Sequence, residues 1–311
     1  MADGDEAGTD TSFVVAIFGP TASGKTAVAE LVADALGGEV VSADSAQVYR
    51  GLEILTNQPE RPTRLVAVWP LEHEVSVGEY QQLAHEAIDE LLAAGETPVV
   101  AGGSGLYLRA ALAELDLPPA PPPERRGRWE RRYDALGPND AHALLAHRDP
   151  AAAERVHPHD RRRVVRALEL AEAGESLRPA EETLWSDDTR HPTLVFGLDV
   201  PKDVLTRRIE ERTHEMFDRG VVDEVEAALA GPISHTARQV MGLEEIAELP
   251  REKAIEALTL RTRRYAAYQR KWMRRIPRLV TVDADRPPDE VAADILEVAR
   301  ARQRLLARRA G

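Results

Sequence analysis

Phe13-Val14-Val15-Ala16-Ile17-Phe18-Gly19-Pro20-Thr21-Ala22-Ser23-Gly24-Lys25-Thr26 is the stretch on which the reading of this 311-residue chain turns. Residues 13–18 form an unbroken apolar run, rich in β-branched and aromatic side chains, as a strand buried on both faces requires. Gly19 to Thr26 then fits G-x-x-x-x-G-K-[ST], the phosphate-loop pattern. Residues 26–36 repeat apolar positions at helical spacing until Gly37-Gly38 stops them. Strand, glycine-rich turn and helix is the context this motif needs. Its glycines let successive backbone amides turn inward toward an anion at the positive end of the helix. Lys25 adds a point charge, and the Thr26 hydroxyl is placed for Mg²⁺.

Outward from that stretch, residues 39–43 read as a second strand, 64–69 as a third and 97–101 as a fourth, the last reached through a helix over 78–94. Strand signals return at 193–198 and 278–282, with long helical stretches at 202–230 and 252–274 between them. Residues 124–182 read as helix throughout. Leu117-Pro118-Pro119-Ala120-Pro121-Pro122-Pro123 is stiff and extended and marks a domain boundary. The pattern predicts an α/β fold: a phosphate-loop open parallel sheet with helices on both faces and a helical insertion domain. The expected divisions are a disordered leader (1–11), a first core part (12–116), the insertion (117–190), a second core part (191–299) and a basic tail (300–311).

Lys and Arg number 40 against 53 Asp and Glu, a net charge of −13, which excludes a wholly basic nucleic-acid binder. Positive charge is instead local. Arg261, Arg263, Arg264, Arg270, Lys271, Arg274 and Arg275 occur without an intervening acid; Arg161, Arg162, Arg163 and Arg166 form a second cluster, and Arg300, Arg302, Arg304, Arg308 and Arg309 a third. The absence of cysteine excludes disulfides, iron–sulfur clusters, cysteine-ligated zinc and a thiol nucleophile. No apolar run near the start approaches the ~20 residues of a membrane span, and the acidic first residues lack the positive flank of a signal peptide. The expectation is a cytoplasmic protein without membrane contact. The pairs His157/His159 and His142/His147 lack the carboxylate neighbours of a metal site and read as structural or surface residues. Gly102-Gly103-Ser104-Gly105 does not fit G-x-S-x-G. Trp129 and Trp185 read as core or interface residues, and Trp272 either as core or as lining a nucleic-acid path.

A phosphate loop specifies what is bound, not what is done to it. Kinases and NTPases of this type need a magnesium acid after a second strand, and residues 97–101 run into glycines instead. The acid nearest the loop is Asp44, after the second strand in Val41-Ser42-Ala43-Asp44-Ser45-Ala46-Gln47-Val48-Tyr49-Arg50. Residues just past the C-terminal ends of neighbouring parallel strands share one crevice, so Asp44 is expected to face the loop's ligand. A carboxylate beside a polyphosphate serves a metal or takes a proton; the structural alternative is a helix N-cap.

These segments together resemble the bacterial tRNA dimethylallyltransferases. The resemblance rests on Gly19–Thr26; on Ser42 to Gly51; on Gly102-Gly103-Ser104-Gly105-Leu106-Tyr107-Leu108; on Arg155-Val156-His157-Pro158-His159-Asp160 continuing to Glu169; and on the stretch from Thr262 to Trp272. It implies transfer of a dimethylallyl group from its pyrophosphate to the exocyclic amine of the adenosine 3′ of the anticodon in tRNA. Gly19, Pro20, Thr21, Ala22, Ser23, Gly24, Lys25 and Thr26 would then grip the pyrophosphate leaving group, with Thr26 serving Mg²⁺. Asp44, Thr21 and Lys25 would be catalytic, Asp44 as the base. Asp44, Ser45, Ala46 and Gln47 match positions that contact the flipped nucleotide, Ser104 one that touches the tRNA, and Arg162, Arg163 and Arg166 the tRNA-contacting part of the insertion. The partners implied are tRNA and dimethylallyl pyrophosphate, acting on a monomer. The chain departs from the pattern in lacking paired histidines after residues 64–69, where His73 stands alone, and in reading Gly242-Leu243-Glu244-Glu245 and Tyr268-Gln269. Arg238 or Gln239 occupies the place of an arginine that serves the pyrophosphate. Two other readings stay open: an isopentenyltransferase acting on free AMP, ADP or ATP, and a nucleotide kinase or binding module without prenyl transfer.

Overall fold

A computed structural model describes residues 12–117, 122–177 and 187–310. The expected leader, much of the proline run, the end of the insertion's helical reading and Trp185 lie outside the described residues. In chain order the elements are β1 (Val14–Phe18), α1 (Lys25–Leu36), β2 (Val40–Ser42), α2 (Val77–Ala93), β3 (Val99–Gly102) and α3 (Gly105–Leu112). Among the described residues there follow α4 (Pro123–Leu136), α5 (Pro138–Arg148), α6 (Pro150–Ala153) and α7 (Arg161–Glu172). The strands resume with β4 (Thr193–Asp199), followed by α8 (Lys202–Asp218), α9 (Val221–Ala230), α10 (His235–Arg238), α11 (Leu243–Glu248) and α12 (Arg251–Met273). β5 (Val280–Asp283) and α13 (Pro288–Ala310) complete the chain.

The five strands form one parallel sheet in the order β2-β3-β1-β4-β5. β1 is central and every one of its residues is buried, which is why residues 13–18 carry no polar side chain. One face of the sheet presents Val15, Ile17, Val99, Ala101, Phe196 and Leu198 to Val28 and Val32 of α1, Val204 of α8, and Val291 and Ile295 of α13. The alternate residues Val14, Ala16, Phe18 and Val100 are buried on the other face, where α2 and α3 pack. Helices therefore cover both faces, as the alternation of strands and helices predicts.

Residues 64–69 are not a strand, contrary to their apolar reading. They make only the isolated bridges Val41↔Arg64 and Tyr49↔Trp69, and both Leu65 and Ala67 have positive φ, 64° and 52°. Ser42 N donates to Arg64 O and Arg64 N to Val40 O, so the segment touches the outer edge of β2. It then turns to follow the loop 47–50, with Ala67 N donating to Gln47 O and Trp69 N to Val48 O. The helical stretch at 202–230 is broken at Gly220, whose φ of +92° ends α8 and starts α9. The arginines of the expected tail belong to α13.

The chain divides into two compact units, Met1–Glu114 with Trp185–Gly311, and Leu115–Leu184. In the second unit, α4 to α7 close around Trp129, Tyr133, Leu145, Val164 and Leu168. Trp129 Nε1 donates to Glu172 Oε2 at 2.7 Å, while Arg132 and Arg148 lie over its ring, so this tryptophan is a core residue. His142 Nε2 lies 2.8 Å from Val156 O, a structural bond within the same core.

Candidate active site

The parallel register sets the C-terminal ends of the strands level: Phe18 of β1 pairs with Gly102 of β3 and Gly197 of β4, and Ser42 of β2 with Ala101 of β3. The loop after β1, Asp44 after β2 and the glycines after β3 thus open at one edge of the sheet. Ala22 and Gly24 have φ of 63° and 83°, which turns the loop's backbone inward ahead of the first turn of α1. The Ser23 hydroxyl is buried beneath Gly19 with no hydrogen-bond partner among the described residues. The amides that begin α1 have no preceding carbonyls to bond, so the loop presents unspent donors.

Three charges meet here. Burial pushes the Lys25 ammonium below its ordinary range, while the charge of Asp44 pulls it back up and that of Arg212 adds to the depression. Burial likewise lowers Arg212, against Asp44 and Glu215. Arg212 Nη2 donates to Thr21 Oγ1 at 2.6 Å, and its Nε is buried without a partner among the described residues. Two cations held at a cost in a partly dry crevice, with donors left over, have the chemistry to receive a polyanion. Asp44 Oδ1 accepts from Ala46 N at 2.9 Å in a local turn rather than capping a helix; no hydrogen bond to a described residue occupies Oδ2. Its charge acts on Lys25 and Arg212 beside the loop, and on Tyr80 and Tyr265.

A buried glutamine ties the crevice together. Gln269 of α12 accepts from Thr21 N at 2.8 Å and donates to Gly103 O at 2.9 Å. Burial pushes the Tyr265 phenol well above its ordinary range, with Asp44 adding and a hydrogen bond from Gln269 opposing. The glycines after β3 permit this closeness: a Cβ on Gly103 would lie 2.2 Å from Gln269 Nε2, and one on Gly105 would lie 1.8 Å from the Trp272 ring. Trp272 therefore packs on the start of α3.

Thr21, Lys25 and Asp44, expected together from the sequence, are brought together with Arg212, Gln269 and Tyr265, which were not expected. Arg238 and Gln239, placed by the resemblance at the pyrophosphate, are exposed on and just after α10, and Gln239 Nε2 lies 2.6 Å from His235 Nε2. The guanidinium that reaches the loop is that of Arg212. Ser45 is exposed, whereas the Gln47 carboxamide accepts from Ser42 Oγ at 2.9 Å and donates to Asn57 O at 3.0 Å, anchoring its loop. Ser104 precedes α3 without capping it. In the second unit Arg162 is exposed and Arg163 lies 3.7 Å from Asp160. Arg166 is different: it is half-buried and pairs at 3.4 Å with Glu169, which Arg126 also approaches at 3.4 Å.

Among the described residues no group of three or more His, Asp or Glu side chains could hold a metal ion. The half-exposed Thr26 hydroxyl, beside a loop shaped for phosphate, fits instead an ion that takes one protein oxygen and several from a diphosphate and water, as Mg²⁺ does. No helix among the described residues is long and apolar enough to cross a membrane.

Comparison with known proteins shows the family of the chain. The family model described as IPP transferase matches residues 47–276, and one described as isopentenyl transferase matches residues 12–67. A tRNA dimethylallyltransferase of Corynebacterium jeikeium is 38% identical, over 91% of this chain and 96% of that one. One of Streptomyces coelicolor is 41% identical, over 86% and 88%. The crystal structure of the full-length tRNA isopentenylpyrophosphate transferase of Bacillus halodurans superposes with a TM-score of 0.69 at 29% identity, covering 96% of this chain and 98% of that one. By a match that spans most of its length and by relatives at this identity, the chain belongs to the IPP transferase family, the family of the tRNA dimethylallyltransferases.

Proposed function

We propose that this chain transfers the dimethylallyl group of dimethylallyl diphosphate to the exocyclic N6 amine of the adenosine 3′ of the anticodon in tRNA, releasing diphosphate, as a cytoplasmic monomer using Mg²⁺. The observation that carries the reading is the meeting of one carboxylate with two half-buried cations at the phosphate loop, one of them bonded to Thr21.

In this reaction the allylic C–O bond breaks as the new C–N bond forms, and one amine proton must leave. The adenine amine is a poor nucleophile because its lone pair is delocalised into the ring. Asp44, with Oδ2 open, accepts that proton. Negative charge grows on the departing diphosphate, and the inward amides of the loop, Lys25 and Arg212 stabilise it. Thr21 is fixed for its place in the loop from both sides, through its amide by Gln269 and through its hydroxyl by Arg212. Bound Mg²⁺, held on the protein side by Thr26, would supply further neutralisation of diphosphate charge. Ser45, Ala46 and Gln47 line the approach for a base taken out of its stack, and Ser104 sits beside it. The exposed Arg162 and Arg163 of the insertion, over residues 117–190, serve the tRNA backbone.

The test is incubation of the full chain with labelled dimethylallyl diphosphate, Mg²⁺ and either unmodified tRNA or AMP. Label in tRNA supports the proposal. Label in AMP alone makes the chain an adenylate isopentenyltransferase, and label in neither assigns the loop to other phosphate chemistry.

A further inference from the structure

The run of positive charge on α12 is not uniform. Arg261 pairs with Glu245 at 2.5 Å, Arg263 with Glu210 at 2.8 Å and Arg270 with Asp199 at 3.1 Å. Arg264 and Lys271 are exposed and pair with no acid among the described residues. In a chain with 53 acids and 40 bases, that is a surface kept clear of the prevailing charge. Between them lies Tyr268, 54% exposed. Steps of four and three residues put Arg264, Tyr268 and Lys271 on one face of the helix.

The ring of Tyr268 is held rather than loose. It meets Trp272 edge-on, with centroids 6.1 Å apart and planes at 65°, and Trp272 is itself seated against Gly105. An edge contact leaves a flat face of the tyrosine available. The location is specific too. At about 100° per residue, Tyr268 stands only about 60° round the helix from Tyr265, and its neighbour Gln269 grips the phosphate loop. An aromatic face flanked by unpaired cations, next to a crevice, is the combination that takes single-stranded RNA: cations meet the phosphates and a base stacks on the ring.

We infer that Arg264, Tyr268 and Lys271 form an RNA-binding strip on α12, on which an unpaired base of the substrate's loop stacks against Tyr268. The inference rests on the proposed tRNA reaction and names where this unit of the protein holds that substrate. Tyr268 is a binding residue, and its contribution is to RNA affinity rather than to diphosphate chemistry.

The test uses the full chain, a fluorescently labelled anticodon stem-loop RNA as probe, and transfer from labelled dimethylallyl diphosphate. Tyr268→Ala is expected to weaken RNA binding by roughly five- to a hundredfold, the range of a lost base stack. It should raise KM for the RNA and leave KM for dimethylallyl diphosphate unchanged, and Tyr268→Phe should restore both binding and KM. Arg264→Gln with Lys271→Gln should reduce the slope of log K against log salt by about 1.4, two phosphates' worth for a single strand. An active wild type with Tyr268→Ala indifferent overturns the inference alone, as does a Phe variant as weak as Ala. A wild type that binds the stem-loop but leaves it unlabelled contradicts the proposed reaction, while a loss in Tyr268→Ala that Phe restores still supports the strip. A wild type that binds no RNA overturns both.

Discussion

Arg212 Nη2 donates to Thr21 Oγ1 at 2.6 Å, so a helix that follows β4 reaches the loop that follows β1. α1 and α8 pack on the same face of the sheet, and the guanidinium carries a charge of α8 to the loop that leads into α1. Replacement by a neutral residue of similar length, Arg212→Gln, removes one charged donor from a site where negative charge develops. The expected loss in kcat is about 10²- to 10³-fold, with little change in melting temperature because burying the cation is itself costly. Steady-state kinetics beside a thermal melt check both halves; a large melting shift with unchanged kcat would make Arg212 a structural residue.

Gln269 bridges Thr21 N and Gly103 O from a buried position, 3% exposed. Gln269→Leu strands both backbone groups where few waters reach them. We expect a loss of about 2–4 kcal/mol in stability by urea denaturation, with a rise in KM for dimethylallyl diphosphate as the loop loosens. A neutral effect on both would mean that the loop holds its shape without α12.

The phosphate loop, the buried β1 and Asp44 were legible because each is a local pattern: a continuous apolar run, a spaced glycine–lysine motif, an acid just past a strand. Residues 64–69 misled for the same reason. Leu-Val-Ala-Val-Trp has the composition of a strand, but whether it pairs depends on a neighbour distant in sequence, and here β2 offers only its edge. Positive φ at Leu65 and Ala67 then carries the segment away along the loop 47–50, held by Arg50 Nε and Nη2 donating to Ala67 O and Val68 O. Arg212 was invisible: it sits among Arg207, Arg208, Glu210 and Glu211, and only its bond to Thr21 in the folded chain distinguishes it. Gln269 lay inside a recognised segment, yet its two backbone partners come from residues 21 and 103.

The arginines of the insertion separate by environment. Arg162→Glu, at an exposed position, should weaken tRNA binding and flatten its salt dependence by about one unit of slope, with the fold intact. Arg166→Ala should instead destabilise the helical unit by about 1–3 kcal/mol, because Glu169, 1% exposed, loses one of its two cations. Burial already raises the Glu169 carboxyl against those cations. Binding isotherms at several salt concentrations and thermal melts distinguish the two; the reverse assignment of effects would contradict it.

Asp89 accepts from Arg190 Nη2 and lies within hydrogen-bond distance of His191 Nε2, both at 2.7 Å, fastening α2 to the entrance of β4. Burial would raise its carboxyl, but the hydrogen bonds from Arg190 and His191 outweigh it and hold the group below its ordinary range. A depressed folded pKa contributes stability above the unfolded value, near 4, and loses it as pH falls through the folded value. Asp89→Asn should therefore cost under about 1 kcal/mol at neutral pH, since the carboxylate is 44% exposed, and nothing at the acid end. Melting curves from pH 7 to pH 2 check this; parallel curves for the two proteins would contradict it.

Proton removal by Asp44 is the centre of this account, and Asp44→Asn tests it most directly. The substitution keeps the Oδ1 contact to Ala46 N available and removes only the ability to take a proton and the negative charge opposite Lys25 and Arg212. Single-turnover transfer of labelled dimethylallyl to tRNA, measured beside diphosphate binding by calorimetry, should fall by at least about 10²-fold while diphosphate affinity stays equal or rises. Transfer at the wild-type rate, or losses of equal size in transfer and in diphosphate binding, would contradict the assignment.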